Sequence, residues 1–222
     1  MQQFDNAKYR QDRSSMVVSD KDMQWAKSVL YDSFVQEWLE KHPTAGYTTQ
    51  GYFPPDIRKL GDAISIVNFL KLTDSPPLSI LDIGAGPGLF LKLSAIHGHT
   101  VYGTEISEII NSPVNDLYKH YNIDIFELMI TKSKKTILPK QYDIIVAART
   151  VFDREDEYYK SADWIEWKNQ MFEYLNPHGR LLIKTNLKYF KSSIIPAQQE
   201  IVNAFGLPLL GWNSLTYLLE KN

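Results

Sequence analysis

The stretch SILDIGAGPGLFLKL spans residues 79–93. An apolar run that contains Asp82 leads into three glycines that alternate with other residues, and a second apolar run follows. Leu78–Ile83 is typical of a buried strand, and Leu89–Ile96 has helical spacing. Because glycine lets a backbone bend sharply or approach a ligand closely, and a helix start offers free N–H groups, this strand, turn and helix predict a binding site.

Strands and helices alternate through the rest of the chain. Further strands are predicted at Thr100–Glu105, Ile123–Ile130, Tyr142–Ala148, Arg180–Thr185 and, as an edge hairpin, Leu207–Leu210 with Leu215–Leu219. Pro113 is expected to divide the helix between the second and third strands, and the helix that carries Trp164 is expected to end at the sequence NPHG. The alternation predicts an α/β fold with a doubly wound, mostly parallel, seven-stranded sheet and helices on both faces.

The residues before the first strand form a different region. Asp20 or Asp22 is expected to cap one helix, which bears Trp25, Val29, Phe34 and Trp38 on one face. A loop rich in glycine, proline and aromatic residues follows at 46–55, and a second helix precedes the first strand. We therefore predict an N-terminal helical extension or lid at 1–55 and the main domain at 56–222.

Composition limits the classes of function. The chain has 222 residues, no cysteine and a formal net charge of −2. Disulfides, thiolate metal sites and a cysteine nucleophile are thereby excluded, and a nucleic-acid partner is disfavoured. The start of the chain is polar, and no run approaches the length of a membrane span. These features predict a cytoplasmic protein with no membrane partner; they do not indicate an oligomeric state.

The spacing of the glycines separates two kinds of nucleotide site. The dinucleotide fingerprint G-x-G-x-x-G would require a third glycine at position 89, which is Leu89. The chain instead has Gly88, which gives the pattern D-x-G-x-G-x-G. A carboxylate repels a pyrophosphate and attracts an ammonium group, so Asp82 favours a ligand with a cationic amino-acid end.

At this motif the chain resembles the class I S-adenosylmethionine-dependent methyltransferases, which have a Rossmann-like fold. The resemblance covers about Leu78–Asn186. Its strongest parts are LDIGAGPG (81–88), VYGTEIS (101–107), LPKQYDIIVA (138–147) and LNPHGRLLIKTN (175–186).

The resemblance implies S-adenosyl-L-methionine as the cofactor, with S-adenosyl-L-homocysteine as its product. Asp82 and the backbone of Gly84, Ala85, Gly86 and Gly88 are expected to hold the methionine portion. Glu105, 17 positions after Gly88, is expected to accept hydrogen bonds from the ribose hydroxyls. Ile106 is expected to pack on the adenine face, although a place in the core is an equally good interpretation.

The remaining cofactor contacts depend on where two strands end. Glu127, Leu128 and Thr131 are alternative contacts at the adenine edge after the third strand. Ala147, at the end of the fourth strand, is expected to face the methyl group.

The residues after the fourth strand concern the methyl acceptor. The chain lacks the Asn/Asp-Pro-Pro-Tyr tetrad of DNA and glutamine N-methyltransferases there, and Lys184–Asn186 do not resemble the carboxylate set of metal-dependent catechol enzymes. No metal site is therefore predicted. Candidates for catalysis are Arg149, Asp153 and His42, although a local ion pair would also explain Arg149 and Asp153. Candidates for substrate binding are Tyr47, Tyr52, Phe53, Arg149, Phe152 and Trp164, although packing would also explain the aromatic residues.

These observations predict a methyltransferase that acts on an oxygen atom of a small molecule, such as a sugar or another hydroxylated metabolite. A methyltransferase for RNA or protein, and a non-catalytic cofactor-binding subunit, are the alternatives. The neutral charge disfavours the first alternative, and the intact glycine turn disfavours the second.

Overall fold

The computed structural model describes residues 18–42, 57–132, 134–148, 150, 152, 159–185, 194–209 and 215–222, with the backbone alone at 57–59 and 194–195. The helices in these ranges are α1 (Asp20–Leu30), α2 (Ser33–Lys41), α3 (Ile57–Phe69), α4 (Leu89–Ile96), α5 (Ser107–Ile110), α6 (Val114–Tyr121), α7 (Ser161–Glu173) and α8 (Ile194–Phe205). The strands are β1 (Ser79–Ile83), β2 (Thr100–Glu105), β3 (Asp124–Glu127), β4 (Tyr142–Ala148), β5 (Leu175–Lys184) and β6 (Thr216–Glu220).

The strands form a mixed sheet in the order β3-β2-β1-β4-β5-β6. β1 with β4, β4 with β5 and β2 with β3 are parallel, and β6 is antiparallel to β5. The α/β fold class is confirmed, and α5 and α6 are divided at Pro113 as expected. The described ranges contain six strands rather than the predicted seven, because residues 207–209 do not form a strand. The N–H of Leu209 donates one hydrogen bond of 2.9 Å to the carbonyl of Thr216.

The contacts within the chain divide it into two compact units. The first unit comprises 79–84 and the described residues from 128 onward, and its core includes the fully buried β4 residues Ile144 and Ile145. The second unit comprises the described residues up to 78 together with 85–127, and its core includes Leu91 of α4.

Asp143, near the start of β4, connects three strands of the first unit. One carboxylate oxygen accepts a hydrogen bond of 2.8 Å from the N–H of Ser79 in β1, and the other accepts one of 2.7 Å from the side-chain amide of Asn176 in β5. β5 bulges here, with Leu175 opposite Tyr142 and Arg180 opposite Ile144. As expected, α7 ends just before NPHG, at Glu173, but NPHG itself lies in β5, so the prediction that this strand begins at Arg180 is wrong.

The single N-terminal helix of the prediction is two helices. Ser19, rather than Asp20 or Asp22, is the N-cap of α1; its hydroxyl accepts from the N–H of Asp22, whose carboxylate accepts in return. The helix ends at Leu30, and Asp32 caps α2 by accepting from the N–H of Val35 at 3.0 Å. The second cap explains the break, because an N-cap residue has extended rather than helical backbone.

The carboxylate of Asp32 is expected to make a contribution to stability that depends on pH. Burial would raise the pKa of its carboxyl group, but the Val35 N–H and His120 outweigh burial and hold the pKa below its usual value. The His120 Nε2 atom lies 2.7 Å from Asp32 Oδ2. A lowered pKa stabilises the fold above the pKa of an unfolded aspartate, about 3.9, and this contribution disappears as the pH falls through the folded value.

We expect Asp32→Asn, which can still cap α2, to be less stable than wild type at neutral pH by no more than about 1 kcal/mol, since the pair is partly exposed. The difference should shrink as the pH falls below about 3.9, the pKa of an unfolded aspartate. Urea denaturation of both proteins between neutral pH and pH 2 measures it, and a difference that is constant with pH would contradict the assignment.

Candidate cofactor site

The turn between β1 and α4 contains three glycines with left-handed backbone. Their φ angles are 74° at Gly84, 57° at Gly86 and 75° at Gly88, which is also the N-cap of α4. Residues with a Cβ atom adopt this region at a cost of roughly 1–2 kcal/mol each. Glycine is therefore needed at every second position for the chain to follow this path.

Glu105, the last residue of β2, lies beside the turn and forms a hydrogen bond with its backbone. Its carboxylate accepts hydrogen bonds from the N–H of Gly86 at 2.8 Å and from the N–H of Ile106 at 3.1 Å. The side chain is buried, with 8% of the residue exposed. The N–H of Ala85 also donates to the carbonyl of Thr104, at 3.0 Å. The acid that the resemblance assigns to the ribose thus also orders the glycine turn.

These residues fit the predicted cofactor. A carboxylate has about four acceptor positions, so two backbone amides use only part of the acceptor capacity of Glu105, and ribose hydroxyls can share the same group. Packing within the protein also favours glycine at two positions of the turn: a Cβ atom on Gly88 would lie 3.1 Å from a methyl carbon of Ile123, and one on Gly84 would lie 3.3 Å from the Thr150 hydroxyl oxygen.

In the first unit, Asp82 lies near the end of β1 and Thr150 follows β4. Asp82 is buried, with 5% exposed, and is paired with Val146 of β4. The Thr150 hydroxyl donates a hydrogen bond of 2.6 Å to the carbonyl of Ile83, which connects the segment after β4 to the end of β1. Sequence reasoning missed Thr150; its only signal was a hydroxyl two residues beyond a strand that ends at the predicted site.

The predicted adenine contacts lie on either side of the end of β3. Glu127 is the last residue of β3, is exposed, and is in register with Glu105. Leu128 is half-buried, and Thr131 is buried. Ile106 is half-buried and is the N-cap of α5.

Three residues predicted to lie near the methyl group or the acceptor are buried in the first unit. Ala147 is fully buried within β4. Phe152 and Trp164 belong to an aromatic cluster of the first unit, with ring centroids 4.7 Å apart and exposures of 5% and 1%. Trp164 also packs on Tyr159 at 5.2 Å. This burial favours the packing interpretation for Trp164.

His42 is the C-cap of α2, and its ring lies 5.1 Å from that of Trp38. The other predicted acceptor residues lie outside the ranges that the structure describes: Arg149, Asp153, Tyr47, Tyr52 and Phe53.

The described ranges contain no group of three or more His, Asp or Glu side chains placed to hold a metal ion. None of the described helices combines the length and the apolar character that a membrane crossing requires.

A mostly parallel α/β sheet with a glycine turn after β1 and a buried acid at the end of β2 defines the class of Rossmann-like nucleoside-binding domains. A sequence profile described as "Methyltransferase domain" matches residues 57–205, which is more than half of the chain. The chain therefore belongs to this methyltransferase family. The resemblance seen in the sequence is confirmed at that level, as is S-adenosylmethionine as the cofactor of the family.

A search of curated proteins finds no significant relative. Among solved structures, the chain is similar to the PH0226 protein from Pyrococcus horikoshii OT3, with 16% identity, a TM-score of 0.49, and coverage of 72% of this chain and 76% of that one. A methyltransferase from Pyrococcus furiosus has 18% identity, a TM-score of 0.44 and coverage of 77% and 88%.

S-adenosylmethionine-bound CalS10, an amino pentose methyltransferase from Micromonospora echinaspora involved in calicheamicin biosynthesis, has 18% identity, a TM-score of 0.41 and coverage of 56% of this chain. The similarity spans only 50% of the length of CalS10.

Proposed function

We propose that this protein transfers a methyl group from S-adenosylmethionine to an oxygen atom of a small molecule, such as a sugar or another hydroxylated metabolite. The observation that carries the proposal is the glycine turn held by Glu105, at 2.8 Å from the N–H of Gly86, in a chain of the methyltransferase family. A turn kept only for packing would not need a buried carboxylate at its side.

Each part of the site has a proposed role. Asp82 attracts the ammonium group of the methionine portion, and the backbone of residues 84–88 encloses that portion. Glu105 accepts hydrogen bonds from the ribose hydroxyls. Ile106 covers one face of the adenine, and Glu127 or its neighbours Leu128 and Thr131 contact the adenine edge. Ala147 contributes its backbone beside the methyl group.

The cofactor supplies an activated methyl group on a sulfonium sulfur, so the task of the protein is alignment and exclusion of water. A hydroxyl acceptor loses a proton when it is methylated, and a base must take that proton. The proposed bases are a carboxylate oxygen of Asp153 and an imidazole nitrogen of His42. Arg149 is the proposed partner of an acidic or oxygen-rich acceptor.

The charges of the described surface support a small acceptor over RNA. Lys135 lies 2.8 Å from the carboxylate of Glu173, and Lys132 lies 3.9 Å from that of Asp163. Lys160 lies 4.0 Å from that of Glu200. Binding of a polyanion uses cationic side chains that can replace its counterions, and lysines with acidic neighbours are less suited to this role.

The cofactor is tested by thermal denaturation with S-adenosylhomocysteine or with NAD. We expect S-adenosylhomocysteine to raise the melting temperature and NAD to leave it unchanged, because a ligand that binds only the folded state stabilises it. Stabilisation by NAD alone would contradict the central assignment.

The acceptor is tested with S-adenosylmethionine that carries an isotopic label in its methyl group. We expect the label to enter members of a panel of sugars and hydroxylated metabolites, and not total RNA or a protein mixture. Labelling of RNA or protein would favour the macromolecular alternative. Binding of S-adenosylhomocysteine without transfer to any acceptor would favour a non-catalytic subunit.

A further inference from the structure

Tyr118 of α6 contacts the glycine turn at two of its glycines. Its hydroxyl donates a hydrogen bond to the carbonyl of Gly86. Its ring lies against Gly88, where an added Cβ atom would be 3.5 and 3.6 Å from two ring carbons. Only 2% of Tyr118 is exposed, so the contact is formed in the interior of the second unit.

With this contact, both the N–H and the carbonyl of Gly86 form hydrogen bonds with side chains. Glu105 accepts from the N–H of Gly86 at 2.8 Å, and Tyr118 donates to its carbonyl, so the peptide groups on both sides of the residue are held by side chains. A glycine with a φ of 57° has wide conformational freedom when it is not held. A turn that is already ordered does not need to be ordered when a ligand binds, and this raises affinity.

We propose that Tyr118 is a positioning residue of the cofactor site, which orders the glycine turn before S-adenosylmethionine binds. The inference rests on the proposed function, and it adds a residue from a helix that carries no part of the methyltransferase motifs. The contacts of Tyr118 with Gly86 and Gly88 are the ones through which it would act on the cofactor.

A purely structural role would give a different result, and Tyr121 provides the matched control. Tyr121 lies one turn further along α6, is 3% exposed, and donates its hydroxyl to the carbonyl of Leu30 at 3.1 Å. Burial raises the pKa of Tyr121, as expected for a hydroxyl in an apolar site. Tyr121→Phe therefore removes a buried hydroxyl-to-carbonyl hydrogen bond from the same helix without altering the turn.

The experiment compares wild type, Tyr118→Phe and Tyr121→Phe by calorimetric titration with S-adenosylhomocysteine and by urea denaturation. We expect Tyr118→Phe to weaken binding about fivefold to tenfold, the range for one hydrogen bond. Tyr121→Phe should lower stability by a similar amount and keep the wild-type Kd. Hydrogen exchange should show faster exchange of the Gly86 amide in Tyr118→Phe than in Tyr121→Phe.

The outcomes separate this inference from the proposed function. Wild-type affinity in Tyr118→Phe, or equal weakening in both variants, would overturn the role of Tyr118 while the proposed function stands. Equal exchange of the Gly86 amide in both variants would overturn it as well, even if Tyr118→Phe were too unstable for titration. Wild-type protein that does not bind S-adenosylhomocysteine would overturn the proposed function and this inference together.

Discussion

Replacing Glu105 with alanine is expected to weaken the binding of S-adenosylhomocysteine by about 100-fold or more. The carboxylate accepts from the amides of Gly86 and Ile106 at 2.8 and 3.1 Å, and we assign it the ribose hydroxyls as well. A hydrogen bond to a charged group contributes about 1.5–3 kcal/mol, and each 1.4 kcal/mol is tenfold in affinity, so the loss of two ribose contacts alone accounts for this factor. Calorimetric titration measures the change.

Glu108 provides the control for charge. It is an exposed glutamate in α5, three positions beyond Glu105, and Glu108→Ala removes the same formal charge. We expect Glu108→Ala to bind like wild type, and Glu105→Gln, which keeps one acceptor oxygen, to lie between wild type and Glu105→Ala. Affinity of Glu105→Ala within twofold of wild type would remove Glu105 from the site.

Replacing Trp164 with alanine is expected to lower the free energy of unfolding by about 3–5 kcal/mol, the range for a large aromatic side chain lost from a core. Trp164 is 1% exposed and packs on Phe152, with ring centroids 4.7 Å apart, and on Phe205 at 6.1 Å. Typical domains are stable by only about 5–15 kcal/mol, so the variant should be close to unfolding. Urea denaturation measures the change.

Trp164→Phe separates packing from substrate binding. It keeps an aromatic ring in the cluster, so we expect a smaller loss of stability and an unchanged KM for the acceptor. A Trp164→Ala protein of wild-type stability, or a Trp164→Phe protein of wild-type stability with an altered acceptor KM, would restore the sequence-based interpretation that Trp164 binds the substrate.

The glycine turn was predictable because its requirements are local. Gly84, Gly86 and Gly88 are placed where the backbone is left-handed, and this need is visible in the residue types themselves. The strand boundaries of β1, β2 and β4 followed from apolar runs with clear ends. The family assignment rests on the same segments.

The errors involve partners that are distant in sequence. NPHG has the composition of a turn, but the bond from Asn176 to Asp143, 33 positions earlier, keeps it in β5. The bond from Tyr118 to Gly86 spans 32 positions, so no local pattern on α6 predicted it. The residues after β4 were ambiguous for another reason: the choice between a core position and an acceptor contact for Phe152 depends on packing against Tyr159 and Trp167.

Asp143 has a consequence for how the protein tolerates change. One side chain accepts hydrogen bonds from residues in β1 and β5, at the edge of the sheet where its parallel strands begin. Fixing the position where a strand begins also fixes the position of its carboxyl end, because a strand rises by a nearly constant distance per residue. We therefore expect substitutions of Asp143 to lower activity through the positions of the strands, and such substitutions would resemble active-site defects in a screen that scores activity alone.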